Sequence, residues 1–253
     1  AAIREAHFPE PGTTPELLEA GLTPAHRRLA LEELFLLQAS LGRARDRRRA
    51  LSGVSIPITP RIRLACSQIL PFRLTPAQER ALEEILGDLP GPAPMSRLLH
   101  GEVGSGKTVV ALLAAVAVME GGCQVALMAP TEILAEQHRR TLGRLLAGTG
   151  HRLALLTSGQ TSLQRRATLK ALAAGSVALV VGTHALIQEG VEFLRLGLVI
   201  VDEQHRFGVR QRALLQEKGR HPHLLLMTAT PIPRSLALAL YGDMEVSVLD
   251  EVP

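Results

Sequence analysis

The stretch Gly101 to Thr108 reads GEVGSGKT, and it restricts this chain more than any other. Two glycines, a lysine and a threonine stand at the spacing of a phosphate-binding loop. Its flanks agree. Leu98-Leu99-His100 before it reads as a buried strand, and TVVALLAAVAVM (Thr108 to Met119) after it reads as an apolar helix. Glycines let successive backbone N–H groups converge on one phosphate chain, and the helix start adds partial positive charge. Gly101, Glu102, Val103, Gly104, Ser105, Gly106, Lys107 and Thr108 are therefore the candidate nucleotide cradle. Lys107 is placed for the β- and γ-phosphates, and the Thr108 hydroxyl for Mg²⁺. The alternative is a plain Gly-rich turn. At about 7% Gly usage, a chance match in a chain of this size is on the order of one per cent.

Around this loop the sequence alternates short apolar runs with helical patterns. Candidate strands are Arg97–His100, Val125–Ala129, Leu153–Thr157, Ala178–Gly182, Leu198–Val201, Leu224–Thr228 and Val246–Leu249. Runs apolar on both faces, joined by helices, predict an α/β fold: a mostly parallel sheet with helices on both faces. Ligands of such sheets bind outside the carboxyl ends of the strands. Leu198 to His205 (LVIVDEQH) puts two carboxylates at such an end. Asp202 is placed to hold Mg²⁺ opposite Thr108, and Glu203 to act as general base toward water. An isolated Asp-Glu pair after a strand is usually a loop acid; the upstream phosphate loop reverses that reading.

The region up to about Pro71 has a different texture. His7 to Pro15 is Pro-rich, and Thr23-Pro24 reads as an N-cap with Pro at the first helical position. Leu29, Leu31, Leu34, Phe35, Leu37 and Leu41 form a helical apolar stripe that Ser52 to Pro60 ends. Arg61 to Leu70 reads as a short helix. The run Arg43 to Arg49 carries five Arg and one Asp, so its +4 equals the net charge of the whole chain. Either a solvated helix face or a contact with phosphates or a partner accounts for it.

Composition excludes several classes. With 253 residues and 46% apolar content the chain has core enough for one large domain or a domain with an appendage. Aromatics at 2% argue against a base-stacking platform. Cys66 and Cys123 are far apart, outside any ligand spacing, and fit a reducing, cytoplasmic setting. The N-terminus lacks the regions of a signal peptide and an initiating Met, which suggests an excised fragment. The longest apolar run, Val109 to Met119, is too short for a membrane span, so no membrane partner is expected.

Five further strings carry a family resemblance. DEQH (Asp202 to His205) has the form of motif II of superfamily 2 helicases. MTATPIPR (Met227 to Arg234) resembles motif III, APTEILAEQH (Ala129 to His138) motif Ia, and VGTHAL (Val181 to Leu186) motif Ib. LTPAQER (Leu74 to Arg80), with Phe72 just ahead, is similar to the adenine-sensing Q motif. The longer strings DEQHRFGVRQR and TATPIPR narrow the resemblance to RecG-type ATP-dependent DNA helicases. Transcription-repair coupling factors, the alternative, share RFGV and TATPIPR but more often carry Glu where this chain has Gln204.

The resemblance implies a RecA-like P-loop NTPase domain over 72–253, the first of two in such motors. It also implies that 1–71 is a helical linker from an absent DNA-binding wedge domain. ATP, Mg²⁺ and branched DNA follow as cofactors and partner. Phe72 would stack on adenine and Gln78 would read its edge; a core aromatic and a helix-surface residue are the plain alternatives. Gln204, His205, Thr228 and Thr230 would couple the nucleotide to DNA. Pro130, Thr131, Gly182, Thr183 and His184 would bind DNA phosphates, although ordinary capping explains both threonines equally well. The second RecA-like domain supplies arginine fingers in the family, so the chain alone is expected to hydrolyse little ATP. A metabolite kinase, or a binding module built on the Arg run, are the competing classes.

Overall fold

The structure is a computed structural model of the chain. It describes residues 2–202, 214–215, 217–229 and 244–251. The described residues fall into two compact units, with the boundary between Arg47 and Arg48.

The first unit is helical: α1 (Ala2–His7), α2 (Pro15–Glu19) and α3 (Pro24–Arg49), which runs on past the boundary. The Thr23 hydroxyl accepts from the His26 amide at 3.3 Å, as its place ahead of Pro24 predicts. Half of the apolar stripe of α3 is exposed, at Leu31, Leu34 and Phe35, while Leu29, Leu37 and Leu41 are half-buried and Ala25 is the helix's buried residue.

The second unit holds α4 (Pro60–Gln68), α5 (Pro76–Asp88), β1 (Ser96–Gly101), α6 (Lys107–Glu120), β2 (Gln124–Met128) and α7 (Glu132–Leu145). There follow β3 (Leu153–Leu156), α8 (Ser162–Ala173), β4 (Leu179–Gly182), a 3₁₀ turn (His184–Ile187), β5 (Leu196–Val201), β6 (His223–Thr228) and β7 (Glu245–Leu249). Every expected strand is present within two residues of its expected ends. The sheet has seven strands in the order β3-β4-β2-β5-β6-β1-β7, and all pairings are parallel.

Both faces of the sheet are covered. In β5, Leu198 and Ile200 join the cluster formed with α4 to α7. Val199 and Val201 point the opposite way and are equally at 0% exposure. Helix α6 is the centre of the packing, with every residue from Val110 to Met119 buried. That explains its lack of an amphipathic pattern: it is enclosed on all sides.

The core also takes in residues ahead of Phe72. Ile56, Ile62 and Cys66 are buried in it, and α4 packs on α6. His223 pins this segment to the sheet. Its Nδ1 accepts from the Met95 amide at 2.9 Å, and its Nε2 donates to the Val54 carbonyl at 2.7 Å. Arg97, 7% exposed, ties β1 to α5 and β7 through Glu84, Asp88 and the Ser247 hydroxyl, each at 2.8–2.9 Å.

Candidate nucleotide site and its connections

The phosphate loop joins β1 to α6. Gly104 and Gly106 have φ of +90° and +85°, a region that L side chains rarely enter. A Cβ on Gly101 would lie 2.6 Å from the Ser105 hydroxyl, and one on Gly106 would run into the Gln78 amide. The loop is thus closed behind by side chains and open in front, where a Cβ on Gly104 would meet nothing within 4 Å. Lys107 spans the loop, its Nζ donating to the carbonyls of Gly101 and Glu102 at 2.7 Å each. Glu102 and Val103 are exposed at the mouth, while Ser105 is buried.

Gln78 is 2% exposed, neither a surface residue nor open to a base. It forms a capping box with Thr75: its Oε1 accepts from the Thr75 amide at 3.0 Å, and its own amide N–H donates to the Thr75 hydroxyl. Its Nε2 donates to the Ser105 carbonyl at 2.9 Å. The capping geometry turns the side chain back over the start of α5, where it braces the phosphate loop. Phe72 is half exposed and lines a cavity of about 280 Å³ with Leu70, Leu74, Leu82 and Cys66. Burial pushes the Cys66 thiol up to about 11, so it is a neutral packing group and not a nucleophile.

Asp202 follows β5, two strands from β1 on the same sheet edge, and its amide donates to the Met128 carbonyl at 2.9 Å. One carboxylate oxygen, Oδ2, meets His138 Nε2 of α7 at 2.6 Å. The donors fit a magnesium ion: a partly buried carboxylate and the Thr108 hydroxyl, both hard oxygens, beside an open phosphate cradle. Among the described residues no group of three or more His, Cys, Asp or Glu could form a metal cage on its own. The Ser105 hydroxyl is buried with no hydrogen-bond partner among the described residues, an orphan polar group inside the cradle. Glu203, Gln204, His205 and Thr230 lie outside the described residues. Thr228, the remaining coupling candidate, is buried at the end of β6.

The candidate DNA residues meet on the same edge. Pro130 and Thr131 follow β2, and Gly182 to His184 end β4, its neighbour. Thr131 is the N-cap of α7, its hydroxyl accepting from the Leu134 amide at 3.2 Å. Gly182 has a packing reason of its own, since a Cβ there would run into the Leu156 carbonyl. His184 is exposed and faces Ser158 at 3.4 Å, while the Thr183 hydroxyl is buried without a partner among the described residues. The loop after β3 joins them: the Gly159 amide donates to Glu132 at 3.0 Å. Ser158 and Gly159 carried no sequence signal, and His138 was legible only as the end of the motif Ia string, because their partners lie 26 to 64 residues away.

The DEAD/DEAH box helicase family matches residues 75–238, most of the chain. The chain belongs to that family. Among the described residues of its motif strings, Thr131, Gly182, Asp202 and Thr228 stand along one carboxyl edge of the sheet. It is 51% identical to the ATP-dependent DNA helicase RecG of Synechocystis over its whole length, covering 30% of that protein. It is 47% identical to the RecG of Aquifex aeolicus, covering 32% of it. A solved structure of RecG bound to a three-way DNA junction overlays 90% of this chain at a TM-score of 0.81, with 46% identity and 31% of that chain covered. The chain thus spans about a third of the length of the relatives it matches. Among the described residues no helix is long and apolar enough to cross a membrane.

Proposed function

We propose that the chain is the ATP-binding part of a branch-migrating DNA helicase that acts on stalled forks and recombination junctions. The observation that carries this is the pairing, on one sheet edge, of a closed-backed phosphate loop with Asp202. It is joined by 46% identity to a RecG seen on a three-way junction.

In this reading the loop amides and Lys107 hold the phosphates, and Lys107 exchanges its bonds to the Gly101 and Glu102 carbonyls for phosphate oxygens. Thr108 and Asp202 hold Mg²⁺, which when bound neutralises charge between the phosphates. Glu203 takes the proton of the attacking water. Phe72 stands at the base, and Gln78 acts through the loop it braces. Gln204, His205, Thr228 and Thr230 relay nucleotide state toward Pro130, Thr131, Gly182, Thr183 and His184 on DNA. A second RecA-like domain completes the site with an arginine finger, and a wedge domain engages the branch. Residues 1–71 link that wedge to a motor over 72–253, and the enzyme works in the cytoplasm.

The test is ATP hydrolysis by a protein carrying both RecA-like domains and the wedge, with forked, three-way and linear duplex DNA compared. Stronger stimulation by the branched substrates is expected. Equal stimulation by linear duplex would contradict the branch-migrating assignment and favour a duplex translocase.

A further inference from the structure

His138 stands in no role given above. It lies on α7 two turns beyond Thr131, 9% exposed, with Nε2 2.6 Å from Asp202 Oδ2. An ionised carboxylate can only accept, so the contact is a donation from Nε2–H. Both side chains are nearly out of solvent, at 11% and 16% exposed. A short bond between two such groups fixes the second far more than a solvated pair would. Among the described residues the other bond to Asp202 is that of its backbone amide to the Met128 carbonyl. Two fixed points, the main chain and Oδ2, leave one torsional setting for the carboxylate and one oxygen, Oδ1, uncommitted to His138.

We propose that His138 is a positioning residue for the metal site: by holding Oδ2 it sets the carboxylate so that Oδ1 faces the ion. This rests on the reading of Asp202 as a magnesium ligand. Outer partners of this kind typically carry 10- to 100-fold in metal affinity. The arrangement also gives α7 two ends with different duties. The N-cap Thr131 follows β2 on the edge where DNA is proposed to run, and His138 reaches the metal carboxylate about 10 Å further along the helix.

The test uses Mn²⁺ in place of Mg²⁺, because its binding to the protein with saturating ADP is read directly by electron paramagnetic resonance. His138→Ala and His138→Asn should weaken Mn²⁺ about 10- to 100-fold. Asparagine is too short to place a donor where Nε2 stands. His138→Gln, whose Nε2 reaches about that point, should restore most of the affinity. ADP affinity in chelator without metal should stay within threefold in all three, which a general packing defect would not allow. Asp202→Asn separates the two layers of the argument. If it leaves Mn²⁺ affinity intact, the metal reading fails and this inference with it. If it weakens Mn²⁺ while His138→Ala and His138→Asn do not, or if Gln does no better than Asn, the positioning role alone is overturned. Should the Ala variant fail to fold, the Gln and Asn pair decides by the same criterion.

Discussion

Replacing Gln78 separates what the structure shows from what its motif suggests. Gln78→Ala removes two bonds and a packing contact at once: the Oε1 bond to the Thr75 amide, the Nε2 bond to the Ser105 carbonyl, and the packing of a side chain 2% exposed. Each group left buried without a partner costs roughly 1–3 kcal/mol, and Thr75 is only half buried, so the sum is about 2–4 kcal/mol. For a chain of this size that is about 5–15 °C in melting temperature. Gln78→Glu is the sharper change. Its carboxylate still accepts from Thr75 and is favoured at a helix start, but it sets an acceptor against the Ser105 carbonyl at a buried position, so a loss of about 1–3 kcal/mol is expected. It cannot donate to Ser105, and that loosens the phosphate loop. Nucleotide affinity should fall roughly five- to tenfold, the worth of one bond of about 1–1.4 kcal/mol. Since the loss acts through the loop, ADP and GDP should weaken alike. Calorimetric titration of both nucleotides decides it. A loss confined to ADP would mean that Gln78 reads the base and that the bracing argument is wrong.

Three further outcomes follow from the same geometry. Lys107→Ala should abolish ADP and ATP binding in calorimetry while leaving the melting temperature nearly unchanged, because its ammonium spans the loop and not the core. Arg97→Met leaves Glu84 and Asp88 facing each other without their cation; both acids reach solvent, so urea unfolding should show a loss of about 1–3 kcal/mol. Burial lowers the His223 pKa below its ordinary 6.5, so the unfolded chain binds a proton there that the folded one refuses. Stability from this group is full above about pH 6.5 and is lost as pH falls below it. His223→Gln should remove that part of the acid slope of the urea midpoint.

The strands were legible because parallel strands buried on both faces are continuous apolar runs, and LVIV and LLLM admit few other readings. The phosphate loop was legible because its geometry demands glycine at fixed places. The Thr23, Thr75 and Thr131 caps follow from local rules of three residues. What the sequence hid is held by distant partners. His223 looks like an ordinary strand residue until Met95 and Val54 are set beside it, and Arg97 like a surface charge until β7 returns to cover it. Gln78 fits two mechanisms, and only the placement of Ser105 favours one. The stripe on α3 shows the opposite failure: helical spacing of leucines marks a helix, but not that its apolar face is covered within this chain.

The central claim is that this chain contributes one side of an ATPase site whose other side is a second RecA-like domain. Steady-state phosphate release with forked DNA tests it most directly, on the 253-residue chain and on a protein extended to include that domain. The account predicts almost no DNA-stimulated turnover from the chain alone, and a rise of roughly 10³- to 10⁵-fold with the arginine finger in place. Robust stimulated turnover by the chain alone, with a rate per molecule independent of its concentration, would show the site complete without a partner domain and contradict the claim.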